Sequence, residues 1–178
     1  SLSGCSTLPT ASTDPQTWDI NAWLHITPAN DIIFYLDRVE MGQGTMTGLT
    51  TLIAEELNTA PHLIQVRAAP VNKSFANPKF GIQITGGSTS LITSFEPLST
   101  AAAQAREMLR AAAALRFQVD MKQVQARDGY IEYNGAQIPF GQLADSASKL
   151  SRPDVTLKTP QQYRFIGKPL TRLDAAMK

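Results

Sequence analysis

The sequence is poor in cysteine, histidine and net charge, and each shortage excludes a class of function. Cys5 is the single cysteine among 178 residues, which excludes a disulfide framework and a zinc site built from cysteines. The two histidines, His25 and His62, lack ligand-spaced companions, so we expect no metal held by protein side chains. The formal charge of +1, from 16 basic and 15 acidic residues, gives no electrostatic footprint for nucleic acid or an anionic membrane.

Aromatic residues, which make up 7% of the chain, are also scarce, and so are long apolar runs. No run approaches the ~18 apolar residues of a membrane span, so we expect no transmembrane segment. Charged residues make up 17% of the chain, against about 25% in typical soluble domains. Together with long alanine-rich stretches, this deficit predicts that something else covers part of the surface.

The first residues predict a flexible leader, because residues 1–17 are rich in Ser, Thr and Pro. The sequence LSGC at residues 2–5 is similar to the end of a bacterial lipoprotein signal. Three interpretations stay open: a lipid on Cys5, an unprocessed remnant of an export signal, or a disordered tail with a chance cysteine. An export remnant would indicate the periplasm, and the cytoplasm is the alternative.

The middle of the chain, residues 18–150, predicts one α+β domain with a short mixed sheet and two principal helices. Short strands are predicted at residues 23–26, 32–36, 63–68, 80–84, 124–127, 130–133 and 136–138. Helices are predicted at 45–57, 98–117 and 140–150, with Asn58 ending the first and Pro97 in the first turn of the second. If the second helix begins as early as Ser88, Pro97 would instead kink it.

The last stretch, residues 151–178, has three prolines and no helical or strand period. This pattern predicts an extended segment that leads to a missing or partner domain.

Two glycine-rich loops each lie between a predicted strand and a predicted helix. The first glycine loop is EMGQGTMT at residues 40–47, and the second glycine loop is ITGGSTS at residues 84–90. A helix N-terminus presents unpaired N–H groups, and glycines let a large anion approach the backbone. Two such loops on adjacent helices predict a cradle for one polyphosphate or pyrophosphate. The alternative is an ordinary capped connection at each loop. Neither loop is a P-loop or a Rossmann fingerprint.

Several motifs together resemble one known family. RVEMGQGTMT at residues 38–47 and AEEL at 54–57 are similar to the Met-Gly-Gln-Gly region of the molybdenum hydroxylase superfamily, which includes xanthine dehydrogenase and aldehyde oxidase. FANP at 75–78, TGGSTS at 85–90 and FEPL at 95–98 resemble its isoquinoline 1-oxidoreductase-type, molybdopterin-binding large subunit. FIGKPLTRLD at 165–174 is also similar to that branch, where it leads into the next domain.

This resemblance implies a molybdenum ion held by molybdopterin, as the cytosine dinucleotide or as the mononucleotide. The pyrophosphate of the dinucleotide would be the anion that lies between the two loops. Backbone amides would bind phosphate oxygens, and the Gln43 side chain could also bond a pterin or phosphate oxygen. The cofactor-binding residues implied in this way are Gly42, Gln43, Gly44, Thr45, Gly86, Gly87, Ser88, Thr89 and Ser90.

The resemblance also implies chemistry that these residues do not carry. The family's downstream glycine-rich loop and late glutamate base have no counterpart in the sequence, and neither do the cysteines of an iron–sulfur partner. The glutamates that are candidates for the base by residue type alone are Glu40, Glu55, Glu56 and Glu96. No catalytic residue is therefore predicted, and we expect the isolated chain to be inactive.

Two hypotheses follow for the function. In the first, the chain is the cofactor-binding N-terminal portion of a hydroxylase that oxidises aldehydes or N-heterocycles. It would work with the remainder of the molybdopterin-binding subunit and with a [2Fe–2S] subunit that takes the electrons. In the second, the chain is a stand-alone, non-catalytic module that binds an anion or nucleotide, with lipid anchoring as one variant.

Overall fold

A computed structural model describes residues 18–19 and 22–175, and it confirms the predicted α+β class. The strands are β1 (Trp18–Asp19), β2 (Leu24–Ile26), β3 (Ile32–Leu36), β4 (Ile64–Ala68), β5 (Gln125–Arg127), β6 (Tyr130–Tyr133) and β7 (Ala136–Pro139). The helices are α1 (Thr45–Leu57), α2 (Ser90–Phe117) and α3 (Phe140–Ser148). The leader with Cys5 lies outside the described residues, so its lipidation and export stay predictions.

A mixed four-stranded sheet with the order β1-β2-β3-β4 carries the candidate site at one edge. The first three strands pair antiparallel, whereas β3 and β4 pair parallel, from Ile32 opposite Ile64 to Leu36 opposite Ala68. A parallel pair needs a crossover connection, and α1 supplies it. Because β3 and β4 point the same way, their carboxyl ends meet at the edge where the chain enters the first glycine loop.

The second sheet is an antiparallel meander of β5, β6 and β7. Its two turns are Asp128-Gly129 and Asn134-Gly135, and all four residues have positive φ angles. This backbone is typical of type I′ hairpin turns, which Asp-Gly and Asn-Gly favour. The hairpin predicted around Asp128-Gly129 is therefore confirmed.

The core lies between α1, α2 and the sheets. Leu49, Ile53 and Leu57 of α1 are almost fully buried at helical spacing, against small residues of α2 such as Ala102 and Ala105. The predicted bounds of α1 are confirmed, and Asn58 ends the helix in a left-handed conformation.

Two predictions about the second half of the site were wrong. Residues 80–84 form turns and coil instead of a strand, because the Asn77 carbonyl accepts from the N–H groups of Phe80 and Gly81 and closes the chain locally. The second helix begins at Ser90, not Leu98, so Pro97 lies inside it. The proline deprives the Thr93 carbonyl of its usual donor but does not end the helix.

The C-terminal stretch of the described chain has little regular structure. Residues 151–174 contain one 3-10 turn, at Pro160–Gln162, and otherwise form coil, bends and turns. The third helix ends at Ser148, two residues before the predicted end. Across residues 18–19 and 22–175, no helix is long and apolar enough to cross a bilayer.

Candidate functional site

The structure brings the two glycine loops together at the N-termini of α1 and α2. The backbone N–H of Val39, just before the first glycine loop, donates to the hydroxyl of Thr85 in the second at 2.7 Å. One turn into α1, Gly48 lies so close to α2 that an added Cβ would be 3.2 Å from the Leu91 side chain. The two helix N-termini, each a region of partial positive charge, therefore lie side by side.

The first glycine loop is organised around the carboxylate of Glu40. This carboxylate accepts from the backbone N–H groups of Gly42 at 2.8 Å, Gly44 at 3.0 Å and Met46 at 2.8 Å. Burial raises the pKa of Glu40, but these three hydrogen bonds outweigh it and hold the pKa below its usual value. An internal carboxylate thus occupies the donors that the sequence assigned to a phosphate.

In the first glycine loop, the exposed Gln43 side chain bonds the backbone beside it, and Thr45 is buried. The Gln43 side chain accepts from the Met41 N–H at 2.5 Å and donates to the Val39 carbonyl at 2.8 Å. Thr45 is buried with 5% of its surface exposed. Their contacts with a cofactor stay predictions. A glutamate just before a helix N-terminus is a recognisable capping signal, and it could have indicated the role of Glu40.

A buried asparagine holds the second glycine loop through hydrogen bonds on its inner side. Asn77 has no exposed surface, and its side-chain N–H donates to the Thr89 hydroxyl at 2.8 Å. That hydroxyl in turn donates to the Gly86 carbonyl at 2.9 Å. Sequence reasoning did not identify this role of Asn77, because the partner lies twelve residues away across irregular backbone.

The outer side of the second glycine loop keeps free donors. Within the described part of the chain, the backbone N–H groups of Gly87, Ser88 and Ser90 donate to no acceptor. Gly87 and Ser88 both have positive φ angles, 62° and 54°, and both are exposed. An added Cβ at Gly86 would meet nothing within 4 Å, so a ligand has room to approach this backbone. Free amides with flanking hydroxyls are donors that suit an anion.

A cavity of about 530 Å³ lies beside both loops, at the carboxyl ends of β3 and β4. Leu36 and Ala68 mark the strand ends in its wall, and Glu40 and Thr85 line it from the two loops. The carboxyl edge of parallel strands is a common place for ligands in sheets with helical crossovers. No three His, Cys, Asp or Glu side chains of the described residues form a group that could hold a metal ion.

The remaining glutamate candidates lie away from this cavity. Glu55, in the last turn of α1, is fully buried and accepts from the Lys158 ammonium at 3.0 Å and from the backbone N–H groups of residues 164–166. Burial raises the pKa of Glu55, but the hydrogen bonds from this chain segment hold it below its usual value. Glu56 is also buried and accepts from the Lys158 N–H at 2.8 Å, whereas Glu96 is exposed on α2.

Comparison with known proteins bears on what this site holds. A family model described as "Molybdopterin cofactor-binding domain" matches residues 2–174. The chain is 30% identical over 130 residues to the beta subunit of isoquinoline 1-oxidoreductase from Brevundimonas diminuta, covering 71% of this chain and 17% of that protein. It is 30% identical over 139 residues to a nicotinate dehydrogenase subunit of Pseudomonas putida, covering 76% of this chain and 11% of that protein.

The fold is similar to that of a solved structure. The crystal structure of quinoline 2-oxidoreductase from Pseudomonas putida 86 matches with a TM-score of 0.50 and 18% identity, over 75% of this chain and 17% of that one. At this identity the likeness concerns the fold alone. The chain thus spans less than a fifth of the length of each of these three proteins.

Proposed function

The chain belongs to the molybdopterin cofactor-binding domain family of the molybdenum hydroxylases, and from this premise we propose that it holds the pyrophosphate of a molybdopterin dinucleotide. Family membership confirms the resemblance predicted from the sequence. The cytosine form of the dinucleotide is the form we propose, on the strength of that resemblance.

One observation carries the proposal: the second glycine loop keeps free backbone donors beside the first loop. We assign the phosphate oxygens to the N–H groups of Gly87, Ser88 and Ser90, with hydroxyls of the two serines as further donors. The residues present fit the group, because an open glycine backbone admits a bulky anion without a lysine or arginine in this loop. We assign Gly42, Gln43, Gly44 and Thr45 to the neighbouring contacts with the cofactor, in a loop that the Glu40 carboxylate holds through the Gly42 and Gly44 amides.

The proposed activity of the whole protein is the oxidation of an N-heterocycle or an aldehyde. The two relatives that are 30% identical are named for N-heteroaromatic compounds, isoquinoline and nicotinate, which favours the first class, whereas a third relative, 26% identical over 151 residues, is named an aldehyde dehydrogenase. When bound, the molybdenum cofactor supplies oxidative hydroxylation with water as the oxygen source. The residues of this chain bind and orient it. We place the general base in the remainder of the molybdopterin-binding subunit and the electron acceptor in a [2Fe–2S] subunit.

The test is the cofactor content of the chain purified from its native cells with whatever accompanies it. We expect near-stoichiometric molybdenum, cytidine monophosphate released by acid, and a larger co-purifying polypeptide. Gly86→Val, purified in the same way, is the matched control and should lack both molybdenum and cytidine monophosphate. Molybdenum without a nucleotide would indicate the mononucleotide form. A chain that purifies alone without molybdenum or nucleotide would overturn the proposal and favour a stand-alone binding module.

A further inference from the structure

Residues 158–174, which we call the strap, run along α1 from its last turn back to the first glycine loop. At the last turn, Lys158 bonds the carboxylate of Glu55 and the backbone beside it. At the other end, the backbone N–H of Leu173 donates to the hydroxyl of Thr47 at 3.0 Å. The strap therefore bonds to both ends of α1, the helix that follows the first glycine loop.

Arg172 is the strap residue that contacts the first glycine loop directly. Its guanidinium donates to the Gly42 carbonyl at 3.0 Å and lies 3.4 Å from the Glu40 carboxylate. Asp174 holds the guanidinium from the other side through two hydrogen bonds, at 2.9 Å and 2.7 Å. A two-pronged contact of this kind fixes the plane of an arginine, which a single contact cannot do.

We propose that Arg172 is a positioning residue for the first glycine loop, and this inference rests on the proposed function. Glu40 accepts from three amides of the loop, so the position of its carboxylate sets the path of the backbone. Arg172 bonds both that carboxylate and the carbonyl of Gly42, so it holds the Glu40 carboxylate and the loop backbone in their observed positions. The strap thereby becomes part of the candidate site.

The simpler explanation is that the strap only covers a surface. A cavity of about 720 Å³ lies under it, lined by Met46, His62 and Ile64 on one side and by residues 169–173 on the other. Covering this cavity needs the apolar residues of the strap but not the guanidinium of Arg172. The two explanations therefore differ in what a change of charge at this position does.

Arg172→Ala tests the proposal, with Arg164→Ala as the matched control. Both arginines lie on the strap and both are partly exposed, 45% and 40%, but Arg164 contacts Asn58 and Asp128 at the far end of α1. Hydrogen exchange of the Gly42, Gly44 and Met46 amides is the first readout. We expect Arg172→Ala to accelerate it about fivefold, as for the loss of a local ion pair and its hydrogen bond, and Arg164→Ala to leave it unchanged.

Two further variants separate positioning from general destabilisation. Arg172→Lys keeps the charge but not the fork, so we expect an intermediate exchange rate. Thr47→Val removes the acceptor of the Leu173 N–H and should act in the same direction without a change of charge. If Arg172→Ala and Thr47→Val both exchange at the wild-type rate while remaining folded by circular dichroism, the proposal is wrong.

The molybdenum content of the same variants, purified from the native cells, is the second readout. We expect Arg172→Ala to retain about threefold less molybdenum per chain than wild type, and Arg164→Ala to match wild type. A wild-type chain without molybdenum would overturn the proposed function, whereas the exchange rates would still decide the role of Arg172. Faster exchange with unchanged molybdenum content would show that Arg172 does not position the loop for the cofactor.

Discussion

The backbone N–H of Val39 donates to the hydroxyl of Thr85 at 2.7 Å, across 46 positions of sequence. Each residue lies where its segment turns toward a helix N-terminus, so this contact fixes the spacing between the two glycine loops. A ligand that bridges the loops needs that spacing before it binds, because preorganised donors cost no reorganisation.

Thr85→Val should therefore weaken cofactor retention more than it weakens the fold. The hydrogen bond is exposed, so we expect its loss to lower the free energy of unfolding by only about 0.5–1 kcal/mol. Molybdenum content of protein from the native cells should fall severalfold. Thr85→Ser keeps the hydroxyl and is the control, with content near that of wild type. Equal molybdenum in the valine and serine variants would contradict a role for this contact.

Gly86→Ala should reduce cofactor retention and Gly86→Val, with its larger side chain, should abolish it. Both variants should keep the fold. Gly86 has a backbone conformation open to other residues, and an added Cβ would meet nothing within 4 Å. Thermal unfolding should stay within a few degrees of wild type, as for a surface substitution. Retained molybdenum in the valine variant would exclude close approach of the ligand to this backbone.

Gly44→Val is not an equivalent test, although both glycines belong to the predicted cofactor site. Gly44 has a φ angle of 81°, and a side chain there costs roughly 1–2 kcal/mol through backbone strain alone. Loss of cofactor in that variant would mix strain with blocked approach. The substitution at Gly86 separates the two effects.

Stability should depend on pH through Glu55, the buried carboxylate that anchors the strap. Its pKa is lowered in the folded chain from the ordinary value of 4.5, because hydrogen bonds from the strap outweigh the effect of burial. A lowered pKa contributes stability above the unfolded value, and that contribution is lost as the pH falls from about 4.5 through the lowered pKa. Urea unfolding between pH 3 and pH 7 measures this dependence.

Glu55→Gln should remove the share of that dependence that Glu55 contributes and destabilise the chain at pH 7, whereas Glu40 and Glu107, whose pKa values are also lowered, keep theirs. Glutamine cannot reproduce the charged acceptor of the Lys158 ammonium and three backbone amides, so we expect a cost of about 3 kcal/mol. Glu96→Gln, on the exposed face of α2, removes the same charge and should change stability by less than ~0.5 kcal/mol. If both variants unfold alike across this pH range, Glu55 is not the anchor.

The sequence predicted elements whose signals are local. The spacing of Leu49, Ile53 and Leu57 and the stop at Asn58 fixed α1, and Asp128-Gly129 fixed a hairpin. Each of these inferences uses residues within one turn or one strand of each other.

What the sequence did not predict depends on contacts between distant segments. The alternation at residues 80–84 is typical of a strand, but no strand of the described chain pairs with it, and the turn at Asn77 takes its hydrogen bonds. Pro97 suggested a helix start, whereas packing of α2 on α1 extends the helix on the N-terminal side of Pro97 to Ser90. The inward roles of Glu40 and Asn77 likewise required the folded backbone, since their partners are main-chain amides and a distant hydroxyl.

A buried ion pair just before the first glycine loop gives the last prediction. Asp37 and Arg38 have side chains only 5% and 2% exposed and lie 2.9 Å apart, with the Trp23 indole donating to the same carboxylate at 3.2 Å. Arg38→Ala leaves a buried carboxylate without its cation, so we expect a loss of about 3–5 kcal/mol. The double variant Asp37→Leu with Arg38→Met buries no charge and should lie closer to wild type, although the indole loses an acceptor. Urea unfolding of the three proteins decides: a double variant less stable than Arg38→Ala would mean that the pair itself stabilises the fold.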